Sequence, residues 1–256
     1  MRAAVRLKKR LSQHVMISKK WIKVMADLLE ITPEDEVVEI GAGTGNLSLE
    51  IASRGPKRVV LIEVDPEAIT ILKKRLSSFN VNFKILNEDV RRLFPIRTDK
   101  VISNTPYGIS SGIFMGLVSS EFKRCVITFQ KEFADRLLAK PGTSDYGSLS
   151  VIAQVRFSIR RVALIGKTNF FPPPKVDSAL LVLEPKEVDS KVLESLLSYG
   201  KLIFFRKKKK LRNSLRGILK DLLREVPHGD KRPYNLTPEE VVEVALWLRE
   251  RLGGSD

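Results

Sequence analysis

Asn104-Thr105-Pro106-Tyr107 combines residue types suited to one chemical problem. The exocyclic amine of an aromatic base is a weak nucleophile, because its lone pair is delocalised into the ring. Acceptors on its two N–H groups favour the pyramidal nitrogen of the transition state. An Asn side-chain oxygen and a neighbouring backbone carbonyl are such acceptors. Pro106 has no N–H and a fixed φ. It also biases Thr105 out of the α region, which holds the Thr105 carbonyl beside Asn104. Tyr107 offers a flat face for a base. The plainer reading is a proline turn with a core aromatic. The position of these residues directly after the expected strand Lys100 to Ser103 favours chemistry, since open parallel sheets bind ligands at the carboxyl ends of their strands.

A second group lies upstream. Val37-Val38-Glu39-Ile40 runs into glycines at 41, 43 and 45, and a helical pattern follows to about Arg54. Strand, glycine turn and helix let backbone approach a ligand closely beside a helix N-terminus. Glu63 ends the next apolar run, 18 residues after Gly45, where an acid can accept ribose hydroxyls. The third glycine comes one residue early for a dinucleotide fingerprint. S-adenosyl-L-methionine, a nucleoside without a phosphate, suits this turn better than a nicotinamide dinucleotide does. Asp89 ends a third run and is placed to accept from the adenine amine of that cofactor. A solvated strand-end acid is the plainer reading of Glu63, and a cap that of Asp89.

The elements that position these groups alternate. A helix is expected over Trp21–Ile31. Strands are expected near 37–40, 59–64, 82–86, 100–103 and 124–129, with Asp65-Pro66 opening a helix to about Ser77. The alternation implies a parallel sheet covered on both faces. Val155–Leu164 and Ser178–Leu183 then read as two strands with no helix between them, forming an antiparallel hairpin at one edge. From about Ser190 to Leu252 the pattern is mostly helical. The expected fold is α/β: a Rossmann-like, mostly parallel sheet with an antiparallel edge hairpin, plus a small C-terminal all-helical domain. The boundary is drawn to give domains 1–187 and 188–256.

The 256 residues are 43% hydrophobic, enough for a substantial core. No apolar run approaches the ~20 residues of a membrane span, and no signal-peptide core follows the basic N-terminus. The single cysteine, Cys125, lies in an apolar run and reads as a buried structural thiol. It excludes a disulfide framework, and a cytoplasmic location is expected. His14 and His228 are the two histidines, so no metal cluster is expected. The net charge of +15 is concentrated: residues 1–23 and 201–216 each hold eight Lys or Arg and no acid, and the remainder is near neutral. Clustered positive charge on a near-neutral body is the footprint of a polyanion-binding protein. The candidate RNA contacts are Lys8, Lys9 and Arg10 in the first stretch. In the second they are Arg206, Lys207, Lys208, Lys209, Lys210 and Arg212.

These motifs together resemble the ribosomal RNA adenine N6,N6-dimethyltransferases, which act on two adjacent adenosines near the 3′ end of small-subunit rRNA. The resemblance covers nearly the whole chain. It is carried by Ser12-Gln13-His14-Val15-Met16, Val38–Gly45, Glu63-Val64-Asp65, Glu88-Asp89 and Asn104–Tyr107. The segments Gln130–Leu137, Asp145–Val151 and Phe170–Ala179 are its most specific carriers. It implies a class I methyltransferase sheet and a cofactor site lined by His14, Met16, Gly41, Glu63, Asp89 and Asn104, with Gly43 and Gly45 in the same loop. It implies a target adenine held between Tyr107 and Phe170, and a helical domain that begins near Lys207–Leu215 and binds rRNA phosphates. A small-subunit rRNA or a pre-30S-type particle is the implied partner of a monomeric enzyme. The chain departs from the family pattern at Ser12, Val15, Met16, Thr105 and Gly108. Two alternatives share parts of the pattern: a large-subunit rRNA adenine methyltransferase, and a ribosome-assembly factor in which catalysis is secondary.

Overall fold

The computed structural model describes residues 14–252, except the side chains of Lys220 and Asp221. The chain opens with β1 (Val15–Met16), α1 (Lys19–Leu29), β2 (Glu36–Ile40), α2 (Asn46–Ala52), β3 (Arg58–Glu63) and α3 (Pro66–Leu76). It continues through β4 (Phe83–Asn87), β5 (Lys100–Asn104), α4 (Ser110–Val118), β6 (Arg124–Gln130) and α5 (Lys131–Leu137). Then come α6 (Ser148–Arg156), β7 (Phe157–Ile165), β8 (Phe170–Phe171), β9 (Ser178–Pro185), α7 (Ser190–Ile203), α8 (Leu211–Leu219) and α9 (Pro238–Leu252).

Seven strands form one sheet in the order β4-β3-β2-β5-β6-β9-β7. β4, β3, β2, β5 and β6 pair in parallel, and β9 is antiparallel to β6. The fold is the expected mostly parallel Rossmann-like sheet. The second strand of the expected hairpin, β9, lies inside the sheet, and β7 forms the edge. β7 begins at Phe157 because Val155 and Arg156 complete the last turn of α6. A separate two-stranded ribbon pairs β1 with β8, Val15 opposite Phe171 and Met16 opposite Phe170.

Local chemistry explains the element ends. Asp65 caps α3 by accepting from the Glu67 N–H at 3.2 Å, Pro66 takes the first helical position, and Lys73, Lys74 and Arg75 face the dipole's negative end. Thr237 and Glu240 cap α9 reciprocally: Thr237 N–H donates to Glu240 at 3.1 Å, and Glu240 N–H donates to the Thr237 hydroxyl at 3.3 Å. Val37, Val59, Leu61, Ile102 and Val126 from the sheet and Met25, Leu29, Ile51 and Leu72 from the helices are buried in one core.

The described residues divide into two compact units. One comprises 14–131 with Arg160–Pro185, the other Glu132–Ile159 with 186–252. The second unit is larger than the C-terminal domain drawn from sequence, because α6 packs with α7 and α9. Its core is built by Leu196 and Ile203 of α7, Leu211, Leu215 and Leu219 of α8, and Val241, Val244 and Leu248 of α9. Among the described residues, no helix is long and apolar enough to cross a membrane. Cys125 is fully buried, and burial pushes its thiol pKa up, as befits an inert core thiol.

Candidate active site

A cavity of about 310 Å³ lies at the carboxyl ends of β2, β3 and β5, the position expected for a ligand of such a sheet. His14, Met16, Gly41, Gly43, Glu63, Asp89, Asn104 and Pro106 line it. Gly45 does not. With φ +91° it forms the N-terminal cap of α2, so its role is to turn the chain.

The glycine turn is held from both sides. Gly41 and Ala42 donate to the Ile62 carbonyl at 2.9 and 3.2 Å. Arg75 donates to the Thr44 carbonyl at 2.7 Å and to the Asn46 side chain at 2.8 Å. Gly41 has φ +74°, and a Cβ there would meet Pro106 at 3.5 Å, so loop and tetrapeptide stand in close contact. Glu63 is only 4% exposed. Its carboxylate accepts from Gly43 N–H at 2.8 Å and from Val64 and Asp65 N–H at 2.9 Å each. Burial raises its pKa, and these N–H donors oppose the rise. Three of about four lone-pair sites are thus in use, which leaves one on Oε2 for a ribose hydroxyl. Asp89 lines the cavity with its carboxylate engaged by Arg91: Nε donates at 3.0 Å and the backbone N–H at 3.0 Å. The Arg91 guanidinium holds the Asp89 pKa below the usual carboxylate range.

Asn104 ends β5 opposite Thr128 of β6. Its Nδ2 donates to the His14 carbonyl at 2.9 Å, and its Oδ1 accepts from the Thr128 hydroxyl at 2.9 Å. A flipped amide would set oxygen against the His14 carbonyl, so the two bonds select one orientation. One Oδ1 lone pair remains for a substrate N–H. Thr128→Val keeps the shape and removes the donor. We expect turnover to fall about two- to tenfold with cofactor affinity unchanged, and Thr128→Ser to recover it. Single-turnover rates beside cofactor titrations check this, and equal rates in wild type and Val variant would exclude the role.

Thr105, one of the departures from the resembled pattern, is 3% exposed. Its hydroxyl donates to Ser103 at 3.2 Å, which donates to the Ile40 carbonyl at 2.9 Å, so the extra polar group is satisfied. The Tyr107 hydroxyl is hydrogen-bonded to Ser178 of β9, and its ring lies 5.2 Å from the His14 ring. The His14 ring in turn donates to the Pro172 carbonyl at 2.7 Å.

The two rings implied for the target adenine differ in exposure: Tyr107 is half-buried, while Phe170 is 2% exposed and joins the core with Met16. Alternate residues of a strand face opposite ways, so Phe171 is the exposed ring of the pair, at 59%. Sequence reasoning missed Arg91, Thr128 and Ser178 as partners of site residues, and Glu39 as a wall of the cavity. Glu39 carried a visible signal, a charge inside the apolar strand β2. Thr128 carried none, because strand register alone places it.

The basic stretch is sorted by its environment. Lys207 donates to the carbonyls of Ser144 at 2.6 Å and Tyr146 at 2.9 Å, while Lys210 and Arg212 pair with Asp230. Arg206, Lys208 and Lys209 are exposed and have no ion pair among the described residues. Lys8, Lys9 and Arg10 lie outside the described residues.

Similarity to known proteins extends along nearly the whole chain. A family model described as ribosomal RNA adenine dimethylase matches residues 4–248. A probable ribosomal RNA small subunit methyltransferase A of Pyrococcus abyssi is 39% identical over 257 residues, covering 96% of this chain and 93% of that protein. The ribosomal RNA small subunit methyltransferase A of Thermotoga maritima is 36% identical, covering 96% and 87%. Among solved structures, a dimethyladenosine transferase from Plasmodium falciparum superposes with a TM-score of 0.82 at 27% identity, over 94% of this chain and 98% of that one. The 23S rRNA methyltransferase ErmE superposes at 0.68 and 26% identity, over 93% and 99%. With the motifs, the cavity and the match along nearly its whole length in agreement, this chain belongs to the ribosomal RNA adenine dimethylase family.

Proposed function

We propose that the protein dimethylates the N6 amines of two adjacent adenosines near the 3′ end of small-subunit rRNA, using S-adenosyl-L-methionine. The observation that carries this reading is the Asn104 carboxamide, held in one orientation at the rim of a cavity walled by Glu63 and Asp89. The residues present suit the cofactor. The free site of Glu63 would take a ribose hydroxyl, Asp89 would accept from the adenine amine in exchange for one of its Arg91 contacts, and the glycine turn would lie along the cofactor. When bound, the cofactor supplies a methyl group on a sulfonium, an electrophile strong enough to need no high-pKa base. Asn104 Oδ1 would accept one N–H of the target amine and leave its lone pair directed at the methyl group. Tyr107, tethered by Ser178, would present its ring to the base.

Identity to small-subunit methyltransferases, and the higher TM-score to the dimethyladenosine transferase than to the 23S enzyme, favour the small subunit over the large. An intact Glu63, Asp89 and Asn104 set counts against a purely structural assembly factor. A pre-30S-type particle as substrate, a monomeric state and a cytoplasmic location complete the proposal. Incubation with labelled cofactor and immature small subunits, followed by nucleoside mass analysis, should yield N6,N6-dimethyladenosine at two adjacent positions mapped by primer extension. Unmodified small-subunit RNA, or modification confined to large-subunit RNA, would refute it.

A further inference from the structure

The second unit exposes an aromatic side chain where its charge is densest. Phe205 is 73% exposed, the most exposed large apolar side chain among the described residues. Its neighbour Phe204 instead turns inward, edge-on to the buried Tyr146 ring at 5.7 Å. Leaving a Phe side chain in water forgoes the stabilisation that its burial would give. The same turn could have placed a polar residue there at no cost to packing.

The turn that displays Phe205 is anchored. Phe204 N–H and Phe205 N–H donate to the carbonyls of Gly200 and Leu202 at 3.2 Å each, and Lys209 N–H donates to the Arg206 carbonyl at 2.8 Å. The Lys207 ammonium clamps it to Ser144 and Tyr146. Lys207 is therefore structural. The cations left to face solvent are Arg206, Lys208 and Lys209, on the residues immediately following Phe205. The Arg206 guanidinium lies 5.7 Å from the Phe205 ring centroid, over one face.

A flat apolar ring with one face backed by a guanidinium, beside cations lacking protein partners, matches the composition of an unpaired nucleotide: a π-surface flanked by phosphates. We propose that Phe205 is a stacking platform for an unpaired RNA base, with Arg206, Lys208 and Lys209 neutralising the adjoining phosphates. This rests on the reading of the protein as an rRNA-binding enzyme. It assigns the basic turn a preference for looped or single-stranded RNA, which charge alone does not provide. A membrane surface is the other partner that pairs aromatic with cationic residues. It fits less well, because a single exposed ring offers little apolar area to insert.

Stacking and charge neutralisation separate by their salt dependence. The test measures binding of the full-length protein to a fluorescent single-stranded RNA and to an RNA duplex, across a salt series. Phe205→Ala should weaken single-strand binding about tenfold, leave the salt slope unchanged and spare the duplex. Phe205→Tyr should restore binding. Lys208→Ala and Lys209→Ala should each reduce the single-strand slope by about 0.7. If the lysine variants change the slope while Phe205→Ala binds like wild type, the stacking platform is refuted and the RNA interface stands. If wild type binds neither RNA, or the lysine variants leave the slope unchanged, the placing of the RNA interface at this turn fails. Equal losses on single strand and duplex, or binding to anionic phosphatidylglycerol vesicles that Phe205→Ala abolishes while RNA binding persists, would also overturn the platform.

Discussion

Asn104→Ala is expected to lower the methyl-transfer rate about 100- to 1000-fold, the range seen when one oriented group that serves only the transition state is removed. The structure gives two reasons to expect a loss at the upper end. The carboxamide is preorganised by the Thr128 hydroxyl and the His14 carbonyl, so no reorganisation is needed during reaction. Asn104 also ends a strand whose preceding residues, Val101 to Ser103, are buried, which fixes the backbone that carries it. The same variant removes the bond to His14, whose segment lines the cavity, so cofactor affinity should fall too, but only about threefold. Single-turnover rates and calorimetric titration with S-adenosylhomocysteine resolve the two effects. An equal loss in rate and affinity would mean that Asn104 shapes the cofactor site without assisting chemistry.

Glu39→Gln should change how stability depends on pH. Glu39 is 2% exposed on β2, lines the cavity and accepts from the Ser48 hydroxyl at 2.5 Å. Burial pushes its carboxyl from 4.5 to about 8, with the Ser48 hydrogen bond opposing and the nearby Glu63 charge adding to the rise. Between those values the folded protein keeps a proton that the unfolded chain has released. Stability therefore falls as pH rises through this window and levels off above about 8. The total fall from this group is about 3–5 kcal/mol. Gln resembles the protonated carboxyl in shape, keeps an acceptor for Ser48 and does not titrate. The variant should match wild type near pH 4.5 and be the more stable at pH 8. Urea unfolding across this range measures the difference, and parallel curves for the two proteins would show that Glu39 is not held protonated.

Much of this protein is decided within short windows of chain. The runs Val37–Ile40 and Val59–Ile62 have the β-branched composition of buried strands, glycines 41, 43 and 45 permit the positive φ of the turn between β2 and α2, and Asp65-Pro66 supplies the cap and first residue of a helix. These are effects of neighbouring residues on one another, so the sheet, the cavity's position and most of its acids were legible. Where a side chain's role depends on partners distant in sequence, the sequence was silent. Thr128 meets Asn104 only through the β5–β6 register. Phe170 and Phe171 are chemically equal, and pairing with β1 decides which is buried. Four consecutive lysines look alike until Ser144, Tyr146 and Asp230 claim two of them. Alternation along a strand, register between strands and desolvation from all sides are properties of the assembled fold. They determine which of the residues the sequence singles out are free to act.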